Sequence, residues 1–196
     1  PEELDSYVGK SLEPSEWLTI DQERINNFAQ TDKNKYDEIA QLILEKKIQY
    51  IVTVARGTSD CAALYASYMF AKYLGLPTYS MPPSIITLEK SKFDFSKALI
   101  IIISQSGMSE DLIECENESK LMGATTVLIS NNEKSPIINS CNYFLNLNAG
   151  EEKSVAATKT FIMSLLVIIK IIYTKHEKNI DKQIEILSNN LIEDSN

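Results

Sequence analysis

Histidine occurs once in this 196-residue chain, cysteine three times, and basic residues are outnumbered by acidic ones, 19 to 27. Each scarcity removes a class of function. A formal charge of −8 offers no basic face to a nucleic-acid backbone, so nucleic acid is not an expected partner, whereas one local anion site is compatible with an acidic protein. Cys61, Cys115 and Cys141 are odd in number, far apart and without CxxC or mixed Cys/His spacing. They read as buried thiols in a reducing cytosol, with no disulfide framework and no metal site. The lone histidine, His176, stands among Lys175, Glu177 and Lys178 and is expected to be solvent-exposed without a partner. No G-x-G-x-x-G follows any apolar run, which argues against a dinucleotide or flavin, and no cofactor is expected. The chain shows no basic segment leading into an apolar stretch at its start, so no signal peptide is read. Its strongest apolar run, Phe161 to Tyr173, is about 13 residues long and contains Lys170, where a bilayer span needs about 20. A cytoplasmic location away from membranes is the expectation.

What is present is concentrated at one junction. Ile100 to Ile103 run directly into Ser104-Gln105-Ser106-Gly107-Met108-Ser109, followed by Glu110-Asp111-Leu112-Ile113. A continuous apolar run reads as a strand buried on both faces of a parallel sheet. The small, hydroxyl-rich residues after it form a turn that lets a ligand approach the backbone, and the acidic pair opens a helix. Hydroxyls and free N–H groups at a helix N-terminus suit a phosphate or another anion. The junction reads as a phosphate cradle without a Walker lysine.

A second junction resembles the first. Tyr36, Ile39, Ala40, Ile43 and Leu44 recur at helical spacing within Lys35 to Lys47, and the β-branched run Ile48 to Val54 follows as a strand. It ends in Arg56-Gly57-Thr58-Ser59-Asp60 before a helical stripe from Cys61 to Leu74, closed by Gly75 and Pro77. Further strands are read at Thr78–Met81 (stopped by Pro82-Pro83), Ala98–Ser104, Ala124–Ser130 and Tyr143–Leu147. Helices are read at Asp111–Met122, Val155–Tyr173 and around Ile180, Ile184, Leu187 and Leu191, with a turn at Asn131-Asn132 and a short helix or loop over Ser135–Ser140. This alternation predicts an α/β fold: a three-layer α/β/α sandwich on a five-stranded parallel, flavodoxin-like sheet. In strand order 2-1-3-4-5 the first and third strands flank the switch point where ligands bind. The Gly57–Ser59 and Ser104–Ser109 turns then converge on one pocket.

Three motifs, Arg56-Gly57-Thr58-Ser59, Ser104-Gln105-Ser106-Gly107-Met108-Ser109 and Glu152-Lys153-Ser154-Val155-Ala156-Ala157-Thr158-Lys159-Thr160, resemble those of the SIS (sugar isomerase) domain family. The third looks like the first SIS domain of the isomerase half of glucosamine-6-phosphate synthase. It is closer still to sugar-phosphate deaminases and deglycases that lack the glutaminase half. The resemblance covers about Lys35 to Ile180 and divides the chain into an N-terminal extension (1–34), an SIS domain (35–176) and a C-terminal helix or linker (177–196). It implies that Ser104, Gln105, Ser106 and Ser109 hold a phosphate, with Gly107 in the turn. It further implies that Gly57, Thr58 and Ser59 line the sugar side and that Val155 meets the sugar through its backbone. Met108 stands where the family has an acidic residue or similar. Lys159, early in a helix, reads equally as a site residue or as solvated surface or the partner of a buried carboxylate. Glu151 and Glu152 read as a loop edge, and Asp60 as a first-turn residue offsetting the helix dipole.

The resemblance implies a sugar-phosphate ligand of the fructose 6-phosphate or glucosamine 6-phosphate type. It also implies pairing with a second SIS domain or a homodimer, favoured by the apolar helix Phe161–Tyr173. The ring-opening histidine and the proton-transfer groups of the tandem members belong to their second domain, and an acid and a base for aldose–ketose isomerisation are not both found here. The catalytic residues therefore stay unassigned. The leading reading is the binding half of an aminosugar-phosphate isomerase, deaminase or deglycase; the alternative is a non-catalytic module sensing a sugar phosphate. Residues Val8 to Ala29 are similar to the opening of MaoC-type dehydratases, but no Asp-x-x-x-x-His follows. The simpler reading is an N-terminal helix, capped by Thr19 or Asp21, that packs on the domain.

Overall fold

The computed structural model describes Phe28, residues 32–150 and residues 158–176. In chain order the elements are α1 (Lys33–Leu44), β1 (Tyr50–Ala55), α2 (Thr58–Leu74), β2 (Thr78–Ser80), the one-turn α3 (Ser84–Thr87), β3 (Ala98–Ile103), α4 (Glu110–Leu121), β4 (Thr125–Ser130), a 3-10 turn (Pro136–Asn139), β5 (Tyr143–Asn146) and α5 (Thr158–Lys175). Every strand pairing is parallel and the order is β2-β1-β3-β4-β5. The isoleucine run takes the central place, with all six residues of β3 buried. Leu99, Ile101 and Ile103 face a core shared with α1, α2 and α5, and Ala98, Ile100 and Ile102 face one shared with α3 and α4. Unbroken apolar character is required because both faces of the strand are covered.

Boundaries shift for identifiable reasons. The first helix begins at Lys33 rather than Lys35 and stops at Leu44, because Lys46 turns left-handed (φ 56°) and the Lys47 N–H returns to the Leu42 carbonyl. β1 starts two residues later than read, where Tyr50 meets Ala98 across the ladder. Ser104 lies beyond β3, although its N–H still donates to the Ile129 carbonyl at 3.0 Å. Pro82-Pro83 does more than stop β2: Pro83 precedes α3, which was not anticipated, and proline at a helix start gives up only an N–H that lacks an intrahelical partner there. Gly75 ends α2 in the left-handed conformation (φ 68°), as expected of a C-terminal glycine. The helix around Ile180–Leu191, the stretch Glu151–Ala157, and the N-terminal extension apart from Phe28 and residues 32–34 lie outside the described residues.

Two readings are corrected, and the environment of Lys170 is a further finding. Cys61 is exposed, Cys141 is half-buried and only Cys115 is buried; Cys61 points outward because Ala62 and Ala63, next along α2, take the inward positions. His176 is exposed but has a partner: its Nε2 donates to the Tyr73 carbonyl at 2.8 Å, tying the end of α5 to the end of α2. Lys170, the charge inside the apolar run, is buried. Its Nζ donates to the Phe28 carbonyl at 2.9 Å and lies 4.9 Å and 4.6 Å from the ring centroids of Phe28 and Tyr36. Burial, then the carboxylate of Asp32, pushes the Tyr36 phenol well above its usual value, so that ring stays neutral.

Replacing Ile101, wholly buried in the helix-covered core, by alanine should lower stability by about 2–5 kcal/mol in urea unfolding. Burial pushes the Cys115 thiol up to about 11. Thiol titration of the native protein at pH 8 should therefore modify Cys61 first, and Cys115 only on unfolding.

Candidate functional site

The central ladder ends with Ala55 opposite Ile103, so Arg56 and Ser104 leave adjacent parallel strands at the same level. Two strand-to-helix turns start there side by side. Arg56, Thr58 and Ser59 from the first, with Ser104, Gln105, Ser106 and Ser109 from the second, line one open pocket of about 210 Å³ floored by Ile103 and Leu112. Six of the ten residues read as ligand-binding line this pocket: Thr58, Ser59, Ser104, Gln105, Ser106 and Ser109. Gly57 lines an adjoining cavity of about 810 Å³, and Gly107 is buried behind the serine turn. Lys159 is half-exposed in the first turn of α5, and Val155 lies outside the described residues. Asp60 sits in the first turn of α2, as read, and accepts from Ser80 Oγ at 3.3 Å.

Both helices that open at the pocket start without a side-chain cap. Gly57 precedes α2 at φ 58°, ψ −135°, a conformation suited to glycine, and Ser109 precedes α4 in extended conformation; neither makes a side-chain cap bond. Helix starts normally satisfy part of their unpaired N–H groups this way. Here two such ends face one cavity. Within the turn, the N–H of Gly107 donates to Ser104 Oγ (3.0 Å) and that of Met108 to Ser106 Oγ (3.3 Å). A hydroxyl that accepts from the backbone still has its own proton to give, so both serines are set to donate to an anion. Met108 is exposed, leaving the cradle to its neighbours.

The turn is braced from β4 by residues that sequence reasoning passed over. Ser130 Oγ donates to the Gln105 carbonyl (3.2 Å), Asn132 Nδ2 to the Ser106 carbonyl (2.7 Å) and Ser135 Oγ to the Gly107 carbonyl (2.7 Å). Three successive turn carbonyls are thereby directed away from the pocket, where they would repel an anion. The available signal was the polar run Ser130-Asn131-Asn132 directly after an apolar strand. Arg56 and Asp111 were also missed as a pair: the guanidinium Nη1 bonds Asp111 Oδ2, linking the end of β1 to the first turn of α4.

Gly107 has φ 60°, and a Cβ there would fall on Ser135 Oγ and within 2.7 Å of Ser135 Cβ. Gly107→Ala should destabilise the protein by about 1–3 kcal/mol. Combined with Ser135→Ala, which removes the colliding hydroxyl, the two losses should sum to more than the double variant shows in chemical unfolding.

Among the described residues, no helix is long and apolar enough to cross a membrane. The model of the SIS domain family matches residues 43–188. A glutamine–fructose-6-phosphate aminotransferase (isomerizing) from Sulfolobus acidocaldarius is 36% identical over 147 residues, spanning 74% of this chain and 24% of that protein. Among solved structures, a proposed phosphosugar isomerase from Silicibacter pomeroyi DSS-3 is 29% identical with a TM-score of 0.76, over 87% of this chain and 51% of that one. The C-terminal domain of glucosamine-fructose-6-phosphate aminotransferase from Francisella tularensis is 25% identical with a TM-score of 0.66, over 87% and 50%. The chain thus spans about a quarter of the curated relative (24%) and about half of each solved one. With the paired turns at the switch point and a family model running through the whole sheet, the chain belongs to the SIS domain family.

Proposed function

We propose that this chain binds a sugar phosphate between its two hydroxyl-rich turns and serves as the binding half of an aminosugar-phosphate isomerase or deaminase. The observation that carries the reading is the shared pocket, into which two helix starts without side-chain caps bring Thr58, Ser59, Ser104, Ser106 and Ser109 together. In this assignment Ser104, Gln105, Ser106 and Ser109 hold the phosphate, and Gly107 lets the turn fold back. Gly57, Thr58 and Ser59 lie along the sugar, and Val155 and Lys159 approach it from the third motif. Relatives whose names include fructose 6-phosphate support the ligand class. A cytoplasmic location belongs to the same reading, supported by three free thiols.

Moving a proton between two sugar carbons needs a base near the carbon acid and an acid near the carbonyl oxygen. The one histidine is bonded to Tyr73, at the end of α2 farthest from the pocket. Along a helix of 17 residues that is roughly 20 Å away. The acid–base groups therefore come from a second SIS domain or a second copy of this one. The outer face of α5, with Phe161, Leu165, Leu166, Ile169 and Tyr173 half-exposed, supports such pairing.

Calorimetric titration should show binding of fructose 6-phosphate or glucosamine 6-phosphate. Ser104→Ala with Ser106→Ala should weaken it at least about 100-fold, because hydrogen bonds to a charged group contribute about 1.5–3 kcal/mol each. Unchanged affinity in the double variant would remove the cradle assignment. Turnover in the same samples would place the acid–base groups across a dimer interface, whereas binding without turnover calls for a second domain. Sedimentation at micromolar concentration should give a dimer, and a clean monomer would count against homodimerisation.

A further inference from the structure

The serine turn offers hydroxyls and N–H groups, but a phosphate monoester arrives at neutral pH with a charge of about −1.5 to −2. It also arrives beside carboxylates, because Glu110 and Asp111 occupy the first turn of α4. On a chain with net charge −8, a cation beside the cradle would offset that repulsion. Among the described residues lining the pocket Arg56 is the only one. It is held beside the cradle: Ala55 and Ile103 form the last rung of the ladder, so Arg56 and Ser104 are neighbours across adjacent strands, roughly 5 Å apart in backbone position. Its side chain is 63% exposed, and its polar partner among the described residues is Asp111, Nη1 to Oδ2. A guanidinium has five N–H donors in a planar fork, so most of them are left to meet a ligand. Arg56 also lines the adjoining cavity of about 810 Å³, together with Asp111, so its side chain borders both spaces.

We infer that Arg56 closes the open side of the cradle and is a direct ligand of the phosphate, with Asp111 as its positioning residue. This rests on the sugar-phosphate reading above. The carboxylate holds one edge of the guanidinium, which leaves the other donors of this pocket-lining side chain to turn toward the serine turn. Bonding to Arg56 also reduces the repulsion that Asp111 would exert on an incoming dianion.

Two probes, fructose 6-phosphate and inorganic phosphate, titrated into the wild-type chain and three variants test this. Arg56→Gln should weaken both probes by the same factor, at least tenfold, because the lost contact is to phosphate. Arg56→Lys, which keeps the charge without the fork, should fall between it and wild type. Asp111→Asn should lose less than Arg56→Gln, since the cation remains. Exposed ion pairs contribute about 0–1 kcal/mol, so melting temperatures should change little and binding losses are not unfolding. Equal losses in Arg56→Gln and Asp111→Asn would make the pair a strut between two turns and overturn the inference. So would an unchanged affinity for inorganic phosphate in Arg56→Gln. Wild-type protein that binds neither probe would remove the sugar-phosphate reading itself, and the role of Arg56 with it.

Discussion

The parallel pairing of β1 with β3, in register from Tyr50 opposite Ala98 to Ala55 opposite Ile103, governs everything built above it. Parallel strands all exit on the same side, so the turns after β1 and β3 rise from one edge of the sheet. Because β1 and β3 are neighbours while β2 lies outside β1, the crossovers leave in opposite directions and open a crevice between the two exits. Moving the register by one residue would send alternate isoleucines of β3 to the wrong core. It would also place Arg56 and Ser104 at different heights.

That constraint supplies position but not chemistry, which depends on which polar groups are kept busy. The three carbonyls of Gln105, Ser106 and Gly107 are engaged from behind by Ser130, Asn132 and Ser135. The Ser104 and Ser106 hydroxyls, which accept from the Gly107 and Met108 N–H groups, keep their own protons to donate. The same division holds at the helix starts, neither of which uses a side chain as a cap. A glycine is required at 107 because the chain turns left-handed there and passes directly against Ser135. The site is therefore shaped from two strand ends and a supporting loop, and no single turn would be sufficient.

Away from the pocket, a different interaction holds Phe28. The ammonium of Lys170 lies against the rings of Phe28 and Tyr36 and bonds the Phe28 carbonyl. A charge in the middle of an apolar helix is costly to bury unless its donors are satisfied. Here the requirement is met partly by a residue that precedes the domain in sequence. Phe28 thus packs on this domain, while the helix and caps read for the extension lie outside the described residues.

The sheet, its order and the convergence of two turns were legible in the sequence because they follow from local chemistry. Unbroken β-branched runs specify strands covered on both sides, glycine and proline mark the ends, and alternation with helices leaves few topologies. Local reading also identified Thr58, Ser59, Ser104, Gln105, Ser106 and Ser109, since small hydroxyl-bearing residues directly after such strands have little other reason to cluster. Pairings distant in sequence were not legible. Arg56 with Asp111 and Ser135 with Gly107 are made only when the ladder brings separate turns together. Nor does a residue's type announce its exposure: Cys61 faces solvent and Lys170 the core because of the helix face each falls on. Composition and periodicity determined which segments become strands and which hydroxyl-rich turns follow them. Tertiary register alone decided which charges and carbonyls surround the pocket between those turns, because those contacts join residues that no local pattern connects.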